Sequence, residues 1–151
     1  MAGVLEWVLL CLRLGVATIL LVAAAAKLAD WTRTRESLSE FGVPGALSRP
    51  GAVLLPLAEL AVAVLLVPAT TARAGAAAAL ALLVFFSATL ARAKLRGEAP
   101  DCSCFGALAS VRPGAALARN AVLSAAALAV VAAGAVQGPD RLLRGQPHLE
   151  R

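Results

Sequence analysis

Two cysteines one residue apart, Cys102 and Cys104, stand in a chain that has one other, Cys11. A thiolate attacks a disulfide sulfur through a mixed disulfide, and a neighbouring thiol then resolves it. That chemistry needs two sulfurs within bonding reach, which this spacing supplies. A disulfide closed over a single residue is strained and easily reduced, so it suits exchange. As a permanent staple it closes almost no loop and stabilises little. If Asp101 caps a short helix, both sulfurs lie in its first turn, where the helix dipole favours thiolate and the Asp101 charge opposes it. Two soft sulfurs also suit a soft metal ion such as mercury or copper. They make a poor closed zinc site, because the single histidine, His148, is far along the chain. A redox pair, a soft-metal ligand pair and cysteines without special chemistry are the three readings, and no closed metal site is expected. Cys11, on the far side of the first apolar segment, reads as a small hydrophobe.

Three charged residues interrupt the apolar segments. Arg13 lies nine residues in from Val4, and Glu59 lies nine residues back from Pro68. In antiparallel helices that puts both about 13 Å from the same face, at 1.5 Å per residue. Charges in a membrane are rare and usually paired. The expectation is therefore an Arg13–Glu59 ion pair that sets helix registry or serves as a proton site. Lys27, near the opposite end of the first segment, is expected to snorkel to the interface. There it shares a side with the dithiol and can support a thiolate.

These residues must be positioned by membrane helices. Of the 151 residues, 60% are hydrophobic and 15% charged, and the mean hydropathy is +0.83. A soluble domain of this size keeps too much surface wet to hide that composition. Disorder is excluded by the hydrophobicity, and a disulfide scaffold by the three cysteines. The net charge of +5 comes mostly from cations flanking apolar runs, so nucleic acid is not an expected partner and a lipid bilayer is.

Segments of about 20 apolar residues are needed to cross the hydrocarbon, and they must be helical to satisfy their own backbone. Spans are expected at about 4–29, 51–68, 73–95 and 114–137 of a single domain covering 1–151. The first is read as a true span rather than a signal peptide, since the stretch before its apolar core has no Lys or Arg and contains Glu6. Trp31, Leu38 and Phe41 fall on one side of a short helix, expected to lie in the interface after the first span. The fold class is thus an all-α integral membrane protein, a four-helix bundle with one interfacial helix. The first and third connections share a side. With their helix ends they hold Lys27, Arg33, Arg35, Arg49, Arg92, Lys94, Arg96, Arg112 and Arg119, against Arg73, Arg141, Arg144 and Arg151 opposite. This nine-to-four bias favours a cytoplasmic dithiol side.

The run Asp101-Cys102-Ser103-Cys104-Phe105-Gly106, followed by Leu117-Ala118-Arg119-Asn120-Ala121, resembles the MauE family of methylamine-utilisation membrane proteins. The wider pattern is similar to the DoxX-like superfamily: Arg13-Leu14-Gly15 and Lys27-Leu28 frame the first span, and Pro56, Glu59 and Leu60 mark the second. The resemblance implies a four-helix bundle in a bacterial inner membrane. It implies that redox equivalents pass through Cys102 and Cys104 to or from a thioredoxin-like partner, in maturation of exported disulfide proteins. Arg13, Lys27, Glu59 and Asn120 match motif positions. The architecture also looks like that of quinone-linked vitamin K epoxide reductase relatives, which makes a quinone the candidate cofactor; the one-residue cysteine spacing differs from theirs. The alternatives are a soft-metal binding or transport protein, and a non-catalytic membrane scaffold.

Overall fold

The computed structural model describes residues 2–97 and 113–137. Over these residues the chain forms α1 (Ala2–Ala29), α2 (Trp31–Glu40), α3 (Gly45–Leu66), α4 (Ala72–Leu95) and α5 (Pro113–Gln137). Four stretches are long and apolar enough to cross a membrane: Val4–Ala29, Gly45–Leu66, Ala72–Leu95 and Gly114–Ala133. No more than 33% of the apolar window of any of them is buried inside the bundle. The remaining apolar surface needs lipid around it, as the expected four-span membrane bundle requires.

The short α2 is the expected interfacial helix, and its ends are set by local chemistry. Asp30 Oδ1 accepts a hydrogen bond from the Arg33 N–H at 3.1 Å, capping the N-terminus. At the other end Gly42 takes a φ of +82°, a left-handed conformation that favours glycine. Val43 N–H then donates to Leu38 O, and Gly42 N–H to Ser39 O, each at 3.0 Å. This pairing is the Schellman arrangement that stops a helix.

One expected boundary moves. The second span is expected from residue 51, yet α3 begins at Gly45 and carries Pro50 and Pro56 inside it. Pro44 stands at the N-cap, and its carbonyl accepts from the N–H groups of Leu47 and Ser48 at 2.8 and 3.0 Å. Ser48 Oγ donates to Gly45 O at 2.9 Å, turning its hydroxyl back onto the first turn. Proline is tolerated in membrane helices where neighbours make up for the lost donor. The extra turns carry α3 past the end of α1 and alongside α2.

In the bundle α1 packs chiefly on α3 and α4 on α5, with α3 against α4 and α1 against α5 closing the ring; α2 lies on α3. The buried positions follow a four-three rhythm: Ala72, Ala76, Ala79, Leu83 and Leu90 on α4, and Ala116, Asn120, Leu123, Ala127 and Val130 on α5. Small side chains at these seams let the backbones approach closely. Phe41, at the end of α2, packs with Leu90, Ala116 and Leu117. The end of α4 and the start of α5 therefore lie at the α2 end of the bundle. Residues 98–112, which include Cys102 and Cys104, fall outside the described residues.

The α3–α4 hairpin depends on one glycine. A Cβ on Gly75 would stand 2.8 Å from Leu65 C and 2.9 Å from Leu66 N, both backbone atoms. Gly75→Ala is expected to destabilise the protein by about 1–3 kcal/mol through overpacking. Gly15→Ala, where nothing lies within 4 Å, is expected to be neutral or stabilising. Thermal unfolding of both variants in detergent checks the contrast.

Candidate functional site: a buried ion pair at one end of the bundle

The four-three rhythm on α1 runs through Arg13, Ala17, Leu20, Ala24 and Lys27. On α3 it brings Ala52, Pro56, Glu59, Ala63 and Leu66 inward. Three of these positions carry charge, and the contact between α1 and α3 decides which two meet. Lys27 Nζ donates to Glu59 Oε1 at 2.7 Å and to Oε2 at 2.8 Å. The lysine is 6% exposed and the glutamate 1%. Two charges so deeply buried are expensive unless well paired, and the two-pronged geometry meets that condition.

The expected Arg13–Glu59 pair is therefore corrected to Lys27–Glu59. Arg13 lies 14 residues from Lys27 on the same face of α1, about 21 Å away at 1.5 Å per residue. Equal depth from Val4 and Pro68 assumed that the helices end level. In fact α1 has 28 residues and α3 has 22. The pairing in register leaves the N-terminal part of α1 extending past the end of α3. Arg13 is half-buried, and its Nε has no hydrogen-bond partner among the described residues. Lys27 likewise does not snorkel; its side chain turns into the bundle. Its expected support of a Cys102 or Cys104 thiolate concerns atoms outside the described residues. Cys11 is exposed on the outward face of α1.

A second layer holds the pair. Phe86 of α4 sets its ring 5.6 Å from Lys27 Nζ, an arrangement that favours the cation. Thr34 of α2 places its hydroxyl 3.2 Å from Lys27 O and 3.0 Å from Asp30 O, tying α2 to the end of α1. Asn120 of α5, 3% exposed, accepts from Arg119 Nη2 at 3.3 Å and donates to Ser87 Oγ at 3.4 Å. Every element of the bundle thus contributes to one polar cluster.

Two residues of this layer, Ser87 and Thr34, were not singled out from the sequence. Hydroxyls that bond neighbouring carbonyls, as Ser87 Oγ does to Leu83 O at 2.7 Å, leave no mark on hydropathy. Asn120 was legible: it is the polar residue in the otherwise apolar seam of α5. Among the described residues no group of three His, Cys, Asp or Glu side chains is placed to hold a metal.

A bundle of four membrane-crossing helices, with an interfacial helix over a buried lysine–glutamate pair, defines a small multi-pass membrane protein. Comparison with known proteins makes this specific. The model of the family described as "Methylamine utilisation protein MauE" matches residues 5–133, and the chain belongs to that family. It is 38% identical over 148 residues to the methylamine utilization protein MauE of Paracoccus denitrificans, covering 91% of this chain and 80% of the relative. No solved structure matches it. Of the motif positions quoted for the resemblance, Lys27, Glu59, Arg119 and Asn120 come together in space, and Arg13 stands apart.

Removing one member of the pair strands the other charge in a low-dielectric site. Lys27→Met or Glu59→Gln alone is expected to cost about 3–5 kcal/mol, and the double variant is expected to recover part of that loss. Arg13→Gln is expected to add independently to Glu59→Gln, within about 0.5 kcal/mol. Thermal unfolding in detergent of the singles and both doubles measures the two couplings. Coupling at Arg13 and none at Lys27 would refute the pairing.

Proposed function

We propose that this protein is a thiol–disulfide oxidoreductase of the bacterial inner membrane, with Cys102 and Cys104 as its redox pair and a thioredoxin-like protein as its partner. The observation that carries the reading is the isolated Cys102-Ser103-Cys104 dithiol, in a family named for methylamine utilisation. The described residues nearest to it on either side are Gly97, just past the end of α4, and Pro113, at the start of α5. The process served is methylamine utilisation, through maturation of exported disulfide proteins.

The exchange is written with two sulfurs on each side. One thiolate of the pair attacks a partner disulfide, forms a mixed disulfide and releases one partner thiolate. The second cysteine then attacks the mixed disulfide, releasing the second partner thiolate and closing the Cys102–Cys104 bond. Two electrons have moved from this chain to the partner, and the reverse sequence returns them; the reduction potentials of the two pairs set the direction. The buried cluster around Lys27 and Glu59 gives this chemistry a rigid base, since it ties α1, α2 and α3 together at that end.

Replacing the resolving cysteine with serine leaves a thiolate that can attack and cannot release. One of Cys102→Ser and Cys104→Ser is therefore expected to accumulate a mixed disulfide with a thioredoxin-like protein, and the double variant none. Non-reducing electrophoresis of membranes quenched in acid reads this directly. Exchange at the parental rate in both single variants would sink the proposal. So would thiol-dependent uptake of mercury or copper(I) with no mixed disulfide, which would favour metal handling.

A further inference from the structure

Where the end of α2 meets the last turns of α4 lies a pocket of about 220 Å³. Phe41 and Gly42 border it at the end of α2, and Thr89, Arg92, Ala93 and Arg96 border it on α4. Arg92 and Arg96 are exposed, and among the described residues neither is joined to an acidic side chain. Phe41 and Thr89 also line a second, mainly apolar cavity, together with Phe85, Phe86 and Lys27.

Two observations put the first pocket at the depth of lipid headgroups. The 24 residues of α4 span about 36 Å at 1.5 Å per residue, against a hydrocarbon core of about 30 Å. Its last turn, with Arg92, and its C-cap Arg96 therefore stand at the membrane boundary. The other wall is the end of α2, the interfacial helix. Below the boundary the same face of α4 turns apolar. Phe85, Thr89, Arg92 and Arg96 follow one another at spacings of four, three and four, which aligns them on one side of a helix. Phe85 is 59% exposed and precedes Arg92 by about 10 Å along the axis. One face of α4 thus offers an aromatic ring to hydrocarbon and two guanidinium groups to the boundary.

We infer that this pocket holds the phosphate of an anionic phospholipid between Arg92 and Arg96, with the acyl chains running along α4 toward Phe85. Guanidinium forks match phosphate oxygens with paired N–H donors, and two of them one helical turn apart can share one phosphate. The volume is far above the ~10–15 Å³ that one water needs, which leaves room for the phosphate and its glycerol linkage. The apolar part of the face selects a lipid over free phosphate, since Phe41 and Phe85 pack against a chain and offer nothing to a bare ion. A choline head would bring its own cation up to the two arginines, so a head with net negative charge is favoured. The excess of cations on this side of the bundle draws the same class of lipid.

This inference does not rest on thiol exchange, since none of the lining residues lies in the dithiol segment. It is tested by native mass spectrometry of the full chain in an uncharged detergent, counting bound dioleoyl phosphatidylglycerol or dioleoyl phosphatidylcholine as each is titrated. One phosphatidylglycerol is expected to bind ahead of any others, about tenfold or more tighter than phosphatidylcholine. Arg92→Gln and Arg96→Gln are each expected to weaken that first binding by about fivefold, and the double variant by about 25-fold. Lys94→Gln removes the same charge from the same turn but does not line the pocket, and is expected to stay within about twofold of the parent. Inorganic phosphate is expected to leave the bound lipid in place. Equal binding of the two lipids would overturn the inference. So would an equal loss in Lys94→Gln, which marks diffuse attraction rather than a site, and so would displacement of the lipid by inorganic phosphate, which assigns the pocket to the free ion.

Discussion

A lysine and a glutamate that are nearly inaccessible to solvent must find each other, because neither can stay charged alone among hydrocarbon and packed side chains. Lys27 and Glu59 meet at 2.7 Å, and much of the molecule follows from that contact. It fixes how far α1 slides along α3. It requires a cover on the side where α1 ends, and α2 supplies it through Thr34 and Phe41. At the same end Arg119 donates to Asn120, and Asn120 donates to Ser87, connecting α5 to α4. A membrane bundle has little hydrophobic drive to choose one helix register over another, since lipid tails are as apolar as leucine. A polar contact of this kind supplies the choice.

The arrangement puts the buried ion pair and the segment proposed to exchange disulfides at the same end. The opposite end of the bundle is held by apolar and small-residue contacts: Val16, Val62, Leu66, Ala76 and Val130. The α2 end carries the ion pair, the aromatic cavity and the helix ends that bear the Cys102–Cys104 segment. On the proposed function, a segment that exchanges disulfides must meet a partner repeatedly without loosening the helices that carry it. Anchoring those helices through a buried polar cluster is a physical answer to that demand.

The sequence made much of this legible. The four spans follow from segment length and hydropathy, and α2 from the pattern of Trp31, Leu38 and Phe41. That Glu59 needs a cationic partner follows from the cost of a lone charge in lipid. Which cation it takes did not follow, because Arg13 and Lys27 stand two heptads apart on one face of α1 and are equivalent in phase. Only the relative slide of α1 and α3 separates them. α3 also begins at Gly45, six residues before the expected start at residue 51, since proline inside a membrane helix does not oblige it to stop. The cavity was illegible for a related reason: Phe41, Phe85 and Phe86 are brought together where the end of α2 meets α4, which no local pattern encodes.

The chain has two lysines, Lys27 and Lys94, which makes the central contact directly observable. With lysine Nζ labelled by nitrogen-15 and glutamate Cδ by carbon-13, rotational-echo double-resonance NMR in lipid bilayers measures their proximity. The account predicts that the Lys27 signal is strongly dephased by a carboxylate carbon in direct hydrogen-bonding contact, and that the dephasing disappears in Glu59→Gln. A Lys27 signal that is not dephased, or dephasing that survives Glu59→Gln, would contradict the pairing on which the rest of the structure depends.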